Sequence, residues 1–599
     1  MSTIAALSEA IRTHAPVLLI LLPMAAAGSA LVGKAFHRSR GFRETAIGLL
    51  ALSVVVLALT VETVVAGTVA VPYALGGFDA EPAILLLLDG LAWVSAALVV
   101  LVGILVSIAS LPHSRFDAAY FFFLMMTIAG MQSVVVTTDL FTMFVSFEIV
   151  AIGAYVLIAW ERTPQGLLAS LKYLFLSTVG ILFFLFGIFV LYRDLGSLSM
   201  ITLSGLVPQE PAVASAVIPG FDLLTLPEPG VARSVPLAVA ALCVGIGVRT
   251  AFIPFHTWLP EAHAWAPHPI SALLSGVLIK VSFLAMVRIV AAFHAAYLMP
   301  LFLWIGAITA LVAVGWALAQ HDAKRLLAFH SISQMGYILA AWGAVGALSG
   351  VAAYSHAISH ALFKSLLFIV VGIAIERAGT RDVYRIRGVG RGAPLLAVGV
   401  IVGSLAISGI PPFNGFVSKQ LISSALYGSP AYLLLRITSV GTVASFIKLS
   451  SIVLPGERVL TGSRSGGGTS AGRLHAVAQS SGGQFLHTRL PWSERLPIVV
   501  LALLTAAGGI AGSGLTRFLQ HLTVNAGERG SIPSLFELPA VSDALVTMAL
   551  GALVATVVMS SPGRRVAHRL SEVAPELRTV LLFFVVGLVL FSLAPWISI

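Results

Sequence analysis

Three nitrogen-bearing side chains recur at helical spacing in Tyr354-Ser-His-Ala-Ile-Ser-His-Ala-Leu-Phe-Lys364, namely His356, His360 and Lys364. Each step of four residues carries a helical side chain only about 40° around the axis and about 6 Å along it. The three groups therefore share one slanting stripe about 12 Å long, in a stretch apolar enough to lie inside a bilayer. Ionisable groups at that depth are costly, and a row of them suits the movement of protons or ions.

Other stretches repeat the theme. Glu148 ends Asp139-Leu-Phe-Thr-Met-Phe-Val-Ser-Phe-Glu148, midway along an apolar run. A lone carboxylate there needs a cationic partner or a proton, and the candidate partners are Lys172 and Arg249. Lys280, in Ser275-Gly-Val-Leu-Ile-Lys280, is equally deep, and such a lysine suits a carrier that switches between charged and neutral forms. Lys419 is its counterpart further along the chain. His330, in Leu326-Leu-Ala-Phe-His-Ser-Ile-Ser-Gln-Met-Gly-Tyr337, adds an imidazole, the side chain that titrates nearest neutrality. In chain order the row is Glu148, Arg249, Lys280, His330, His356, His360, Lys364 and Lys419, with Asp139, Lys172, His256 and His263 as supporting candidates.

His256, His263 and His268, with Glu261, crowd the loop Phe255-His-Thr-Trp-Leu-Pro-Glu-Ala-His-Ala-Trp-Ala-Pro-His-Pro269. Their spacing fits no familiar zinc pattern and three prolines interrupt it. No metal site is expected there; the loop reads as a cytoplasmic mouth for proton uptake. Phosphate-binding loops, dinucleotide fingerprints and nucleophile elbows are absent from the sequence. No cofactor is expected, nor redox or hydrolytic chemistry by this chain alone.

The elements that must position these groups are membrane spans. Of 599 residues, 58% are hydrophobic and 10% charged, and mean hydropathy is +1.00. Soluble domains carry about 25% charged residues, so the chain reads as a polytopic membrane protein. A single cysteine, Cys243, excludes disulfides and cysteine-ligated iron–sulfur clusters. The net charge of +10 comes from basic residues in loops, a mark of topology and not of nucleic-acid binding. Residues 1–16 show no small-residue cleavage site after a short apolar core, so no removable signal is read.

Sixteen apolar runs are expected to span, near 16–33, 44–68, 87–110, 118–137, 139–160, 167–193, 236–256, 269–294, 299–319, 326–346, 350–375, 394–425, 430–454, 495–515, 541–561 and 577–597. Counting them places the clusters Lys34/Arg38/Arg40/Arg43, Lys324/Arg325, Arg377/Arg381/Arg385/Arg387/Arg391 and Arg564/Arg565/Arg569 on one side. That side should be the cytoplasm, with both termini outside. The long loops 194–235 and 455–494 fall outside and inside respectively, and the Gly/Ser-rich second one reads as a flexible tether.

Two spans read as interrupted. Pro254 interrupts Gly247-Val-Arg-Thr-Ala-Phe-Ile-Pro-Phe-His256, and Pro411 and Pro412 interrupt Ile407-Ser-Gly-Ile-Pro-Pro-Phe-Asn-Gly-Phe-Val-Ser-Lys419. Broken helices are tolerated where neighbours or a water-lined cavity satisfy the freed backbone. Their five-span offset suggests two inverted five-helix repeats. The expected organisation is 1–117 N-terminal helices, 118–294 first repeat, 295–454 second repeat, 455–494 flexible cytoplasmic loop and 495–599 C-terminal helices.

The segments Asp139–Glu148, Pro254–His263, Pro269–Lys280, Asp322–Tyr337, His360–Lys364 and Gly409–Lys419, in this order, resemble the proton-conducting antiporter family. That family is shared by respiratory complex I, Mrp-type cation/proton antiporters and membrane-bound energy-converting hydrogenases. Leu195-Gly-Ser-Leu-Ser-Met200 and Tyr73-Ala-Leu-Gly-Gly-Phe78 resemble the D subunit of Mrp antiporters, while Glu261-Ala-His-Ala-Trp-Ala-Pro267 leans toward the hydrogenase subunits. The resemblance implies an all-α fold of about fourteen core spans, so that the last two, 541–561 and 577–597, are extra packing or docking elements. It implies proton transfer along a central hydrophilic axis, with Glu148 paired to a seventh-span lysine whose position here holds Arg249. Arginine stays charged, so it can tune Glu148 but is a poor proton carrier.

The function so implied is that of a proton-translocating subunit in a multi-subunit sodium/proton antiporter of the inner (plasma) membrane. Its partners would be other membrane subunits, protons, sodium and the lipid bilayer, without nucleic acid. The alternatives are a proton-pumping subunit of a redox-driven complex, or a subunit for uptake of inorganic carbon.

Overall fold

The computed structural model describes residues 3–36, 39–65, 72–77, 84–206, 231–455, 489–523, 531–532, 534, 536–571 and 577–594. Among them, 12 helices are long and apolar enough to cross a bilayer. The other expected spans are helical too, each with a physical reason for falling short. Val231–Thr250 and Pro394–Ser408 are cut by the breaks, and Leu577–Leu593 has 17 residues. Ala323–Gly343 has the length, but Lys324, Arg325, His330 and Gln334 make it polar. The chain is a polytopic membrane protein.

The fold is all-α as expected, apart from one short pairing of Tyr73–Ala74 antiparallel with Leu85–Leu86. Thr3–Thr13, Met200–Leu206, Gly512–Thr523 and Ser561–Ser571 are further helices. They are too short or too polar for a hydropathy window, and the last two have the two-faced pattern of helices that lie along an interface. The two expected long loops fall largely on 207–230 and 456–488, outside the described residues, as do Arg38 and Phe78.

Aspartates mark several helix starts. Asp89 accepts from Ala92 N at 2.7 Å, Asp117 from Tyr120 N at 3.1 Å and Asp139 from Thr142 N at 2.6 Å. Asp322 accepts from Lys324 N and Arg325 N at 2.8 and 2.9 Å. Each carboxylate meets backbone donors that the first helical turn leaves unpaired. Four of the 25 acidic residues thus cap helices, and Asp139 is one of them.

Both spans expected to be interrupted are broken, while Pro23 and Pro497 sit inside continuous helices. One stops at Thr250 and resumes as Leu259–Trp265; the other stops at Ser408 and resumes as Asn414–Ala425. In the first gap Ile253 N donates to Thr309 Oγ1 at 3.1 Å and Trp258 Nε1 donates to Val248 O at 2.7 Å. Side chains thereby satisfy backbone groups that the interruption frees. The same order of elements occurs twice: two helices, a third longer one, a broken one and a closing one. The long third members are Pro164–Leu195 and Ser349–Ala378, of 32 and 30 residues.

Burial shows which helices are central. In His268–Ala292 and Ser349–Ala378, 94% and 89% of the most apolar window is buried, against 28% for Gly41–Val65 and 22% for Leu538–Met559. The two central helices approach closely because glycines face each other's side chains. A Cβ on Gly372 would overlap the Cβ of His268, and one on Gly276 would overlap Ser365 Oγ.

Loops expected on one side meet there. Arg115 pairs with Glu376 and, at 3.4 Å, with Glu161. Arg325 pairs with Glu261 at 2.8 Å, and Arg381 with Asp322 at 2.8 Å. These contacts join the ends of spans that alternate in direction, as the counting requires. The C-terminal helices spread around the body. Trp492–Ile510 contacts Gly90–Ser110 and Ser349–Ala378, Leu538–Met559 lies on Pro430–Ser450, and Leu577–Leu593 lies on Val231–Thr250.

Candidate functional site: a buried row of bases

Lys280 follows a π-helical turn, Leu274–Leu278, inside the segment that begins at His268. Such turns release carbonyls from the regular ladder, and Lys280 Nζ donates to Ser275 O. Ser275 Oγ in turn meets Ser331 Oγ at 2.7 Å, tying this turn to Ala323–Gly343. Across the glycine contact, Lys364 Nζ donates to Leu327 O and lies 5.5 Å from the centroid of Phe368. His263 stacks on the same Phe368 ring at 4.9 Å. This histidine, read from sequence only as a supporting residue, therefore stands beside Lys364.

Along the helix, the rings of His360 and His356 lie 6.4 Å apart with 14° between their planes. His356 is held on both nitrogens: Nδ1 meets Ser418 Oγ at 2.9 Å and Nε2 meets Gln334 Oε1 at 3.0 Å. It thereby bridges three helices. Lys419, one residue beyond Ser418, places Nζ 5.1 Å from the Tyr337 ring centroid. Tyr337 OH donates to Leu435 O at 2.8 Å and meets Ser439 Oγ at 2.8 Å.

His263, His330, His356, His360 and Lys364 are fully buried or nearly so, and Lys280 is 6% exposed. Among the described residues, His263, His330 and His360 have no protein partner on either ring nitrogen, and Lys419 Nζ has none. Buried polar atoms of this kind are ordinarily satisfied by ordered water. The charged neighbours that act on the four histidines are lysines and other histidines. His360 feels Lys280, Lys364, His356 and His330, while His356 feels Lys419 and Lys280. Among the described residues, no carboxylate is among the charged groups acting on these four histidines.

Glu148 and Arg249 form a separate pair. Arg249 Nη2 donates to Glu148 Oε1 at 3.1 Å, and the guanidinium lies 5.0 Å from the Phe147 ring centroid. Arg249 is buried, whereas 39% of the Glu148 side chain is exposed. Between the two candidate partners the structure selects Arg249. Lys172 is exposed on Pro164–Leu195, and His256 stacks on Trp316 at 5.1 Å. The histidine-rich loop does not converge on one point. His256 lies on Trp316, His263 on Phe368, Glu261 with Arg325, and His268 with Glu376.

Sequence reasoning did not single out Gln334, Ser418 or Tyr337. Gln334 stands four residues after His330, on the same helical face, and Ser418 precedes Lys419, so adjacency to named candidates was the available signal. Asp543 was also passed over. It pairs through both oxygens with Arg436 and lines a cleft with Lys419, Tyr337 and Ser439. Lys448 donates to Leu318 O and Gln320 O at 2.7 and 2.9 Å, where a cation meets carbonyls at the end of Met299–Ala319.

Known proteins resemble this chain in sequence and in fold. The family described as NADH:quinone oxidoreductase/Mrp antiporter, transmembrane, matches residues 137–445, just over half of the chain. The N subunit of NADH-quinone oxidoreductase from Desulforudis audaxviator is 29% identical over 505 residues, covering 82% of this chain and 94% of that protein. The D-type Na(+)/H(+) antiporter subunit of Alkalihalophilus pseudofirmus is 28% identical over 454 residues, covering 74% of this chain and 87% of that one. A chain of the Mrp complex from Dietzia sp. shares the fold, with a TM-score of 0.73 and 21% identity, over 88% of this chain and 99% of that chain.

Proposed function

The chain belongs to the NADH:quinone oxidoreductase/Mrp antiporter transmembrane family, and from that membership we propose that it moves protons along its buried row of bases. The route runs from His263 through Lys364, Lys280 and His360 to His356 and Lys419. The observation that carries this reading is the row itself: six successive bases on four helices, five of them buried, whose charged neighbours are again basic. A purely structural role would favour pairing each base with an acid or a backbone carbonyl, yet three of the histidines have no partner on either ring nitrogen among the described residues.

The proton route serves exchange against a monovalent cation, sodium, within a complex of several membrane subunits. The likeness to the D-type Na(+)/H(+) antiporter subunit supports the cation. Support for partners is physical. Glu148 shares an outward stripe with Phe141, Val145 and Ile152, and Lys172 lies exposed on the next helix. A carboxylate facing lipid at mid-span is expensive, so a polar surface on a partner subunit would cover it.

A second reading, proton pumping driven by a redox partner, rests on the match to the N subunit of NADH-quinone oxidoreductase along 94% of that protein. The electron carriers would then sit on other subunits, because this chain has one cysteine, buried Cys243. The experiment is sodium-dependent pH change in sealed vesicles holding the assembled complex. Exchange started by a sodium gradient alone supports antiport. Proton movement that needs an electron donor and ignores sodium selects the redox-driven reading.

A further inference from the structure

A second titratable cluster lies at the face where the loop arginines gather, away from the row of bases. His113 comes from the loop after Gly90–Ser110, His268 opens the helix packed on Gly372, and Glu376 sits in the last turn of Ser349–Ala378. One donor atom from each of these residues lies within 4.8 Å of the others. His268 Nδ1 is 3.1 Å from Glu376 Oε1, and the two imidazole rings are 5.4 Å apart. Glu494, from the start of Trp492–Ile510, brings Oε1 to 3.9 Å from His113 Nε2. Four segments distant in sequence therefore converge.

The cluster has unused donor capacity. Among the described residues, His113 Nε2, His268 Nε2 and Glu494 Oε2 are buried atoms without a hydrogen-bond partner, and His268 as a whole is 2% exposed. Such atoms are uncommon in folded proteins and need an explanation. Glu376 is open to solvent, which gives an ion an access route. We propose that His113, His268 and Glu376, with Glu494 as fourth ligand, form a binding site for a divalent transition metal, zinc by ligand type.

Two imidazoles and two carboxylates suit zinc and its neighbours, and not magnesium or calcium, which take oxygen ligands. A tetrahedral ion with bonds of about 2.0–2.1 Å needs donors about 3.4 Å apart. The widest-spaced donors must therefore close by about 1.4 Å, within the reach of side-chain rotation. The opposing group is Arg115, which now holds Glu376, but Glu161 stands 3.4 Å away as its alternative partner. Metal binding would hand Arg115 to Glu161 and tie four helix ends together.

The test needs no transport assay, so its result is independent of the proposed function. The full chain, purified without a polyhistidine tag, is reconstituted in lipid nanodiscs and titrated with Zn²⁺ by calorimetry. Zinc-edge X-ray absorption then reads the bound ion. One saturable site per chain is expected, with nitrogen and oxygen neighbours near 2.0–2.1 Å. His113→Ala should weaken binding by roughly tenfold or more, and His268→Asn should do the same; Mg²⁺ should not compete. His113 lies in a half-buried loop, so its replacement tests the site even if His268→Asn fails to fold. No saturable site in the wild type, or wild-type affinity in a folded His113→Ala chain, would overturn the proposal.

Discussion

Ser418→Ala probes the row of bases at its best-defined joint. His356 Nε2 faces Gln334 Oε1, an acceptor, so Nε2 carries a hydrogen in both charge states of the ring. In the neutral ring, Nδ1 accepts the Ser418 hydroxyl hydrogen at 2.9 Å. In the protonated ring, Nδ1–H donates to Ser418 Oγ, and the hydroxyl turns to Gly415 O, 3.3 Å away. One serine thus keeps His356 hydrogen-bonded whether or not it holds a proton. Alanine removes a neutral bond worth about 0.5–1.5 kcal/mol from one state and a charge-assisted bond worth about 1.5–3 kcal/mol from the other. The difference, about 1–1.5 kcal/mol, falls on the charged state and corresponds to roughly a tenfold slowing if that state lies on the path. Ser418→Thr keeps the hydroxyl and should stay within about twofold of wild type. The assay is the initial rate of proton movement in vesicles, normalised to assembled complex. Equal rates for the alanine and wild-type proteins would show that His356 does not change charge during transport.

Other outcomes follow from the same geometry. Glu148→Ala should abolish coupled proton transfer while the complex still assembles, checked by flux and by native gel. At 3.1 Å the Arg249–Glu148 attraction is about 5 kcal/mol for an effective dielectric near 20, less whatever solvent or a partner screens from the open carboxylate. Arg249→Lys should therefore retain activity and Arg249→Ala should lose most of it, measured as sodium-dependent flux. His356→Ala strands Gln334 Oε1, while Ser418 can still donate to Gly415 O, so it should lower stability by about 1–3 kcal/mol, read as an earlier thermal transition in detergent. Asp543→Asn breaks the two-oxygen contact with Arg436 and should loosen Leu538–Met559, seen as faster protease cleavage near residue 538.

Much of the fold was readable because spans obey a length and a composition. Each expected run holds a helix, and the two spans expected to be interrupted break at the stretches holding Pro254 and Pro411. Gly512–Thr523 and Ser561–Ser571 escaped because a mixed face cancels in a hydropathy average. The π turn before Lys280 escaped because it changes hydrogen bonding and not composition. At the site, the stripe of His356, His360 and Lys364 followed from helical period alone. Choosing between Lys172 and Arg249 did not, because Lys172 lies deep along its span yet on the helix's outer face. The partners of His356 come from 62 and 22 residues away in the chain, and the cluster of His113, His268, Glu376 and Glu494 from four separate segments. Such meetings depend on packing that local pattern does not encode.

The central claim is that protons cross by the buried row, and it is tested most directly by cutting the row at its middle. His360 has no hydrogen bond among the described residues, so its replacement removes a carrier without stranding a partner; Lys364 gives up only its bond to Leu327 O. The measurement is proton flux, reported by a trapped pH dye, in vesicles carrying the assembled complex with His360→Ala and Lys364→Ala together. Removing a positioned proton carrier costs on the order of a hundredfold or more, so flux should fall to the level of empty vesicles while subunit composition stays intact. Wild-type flux from the double variant would contradict the account, because protons would then have crossed without the row.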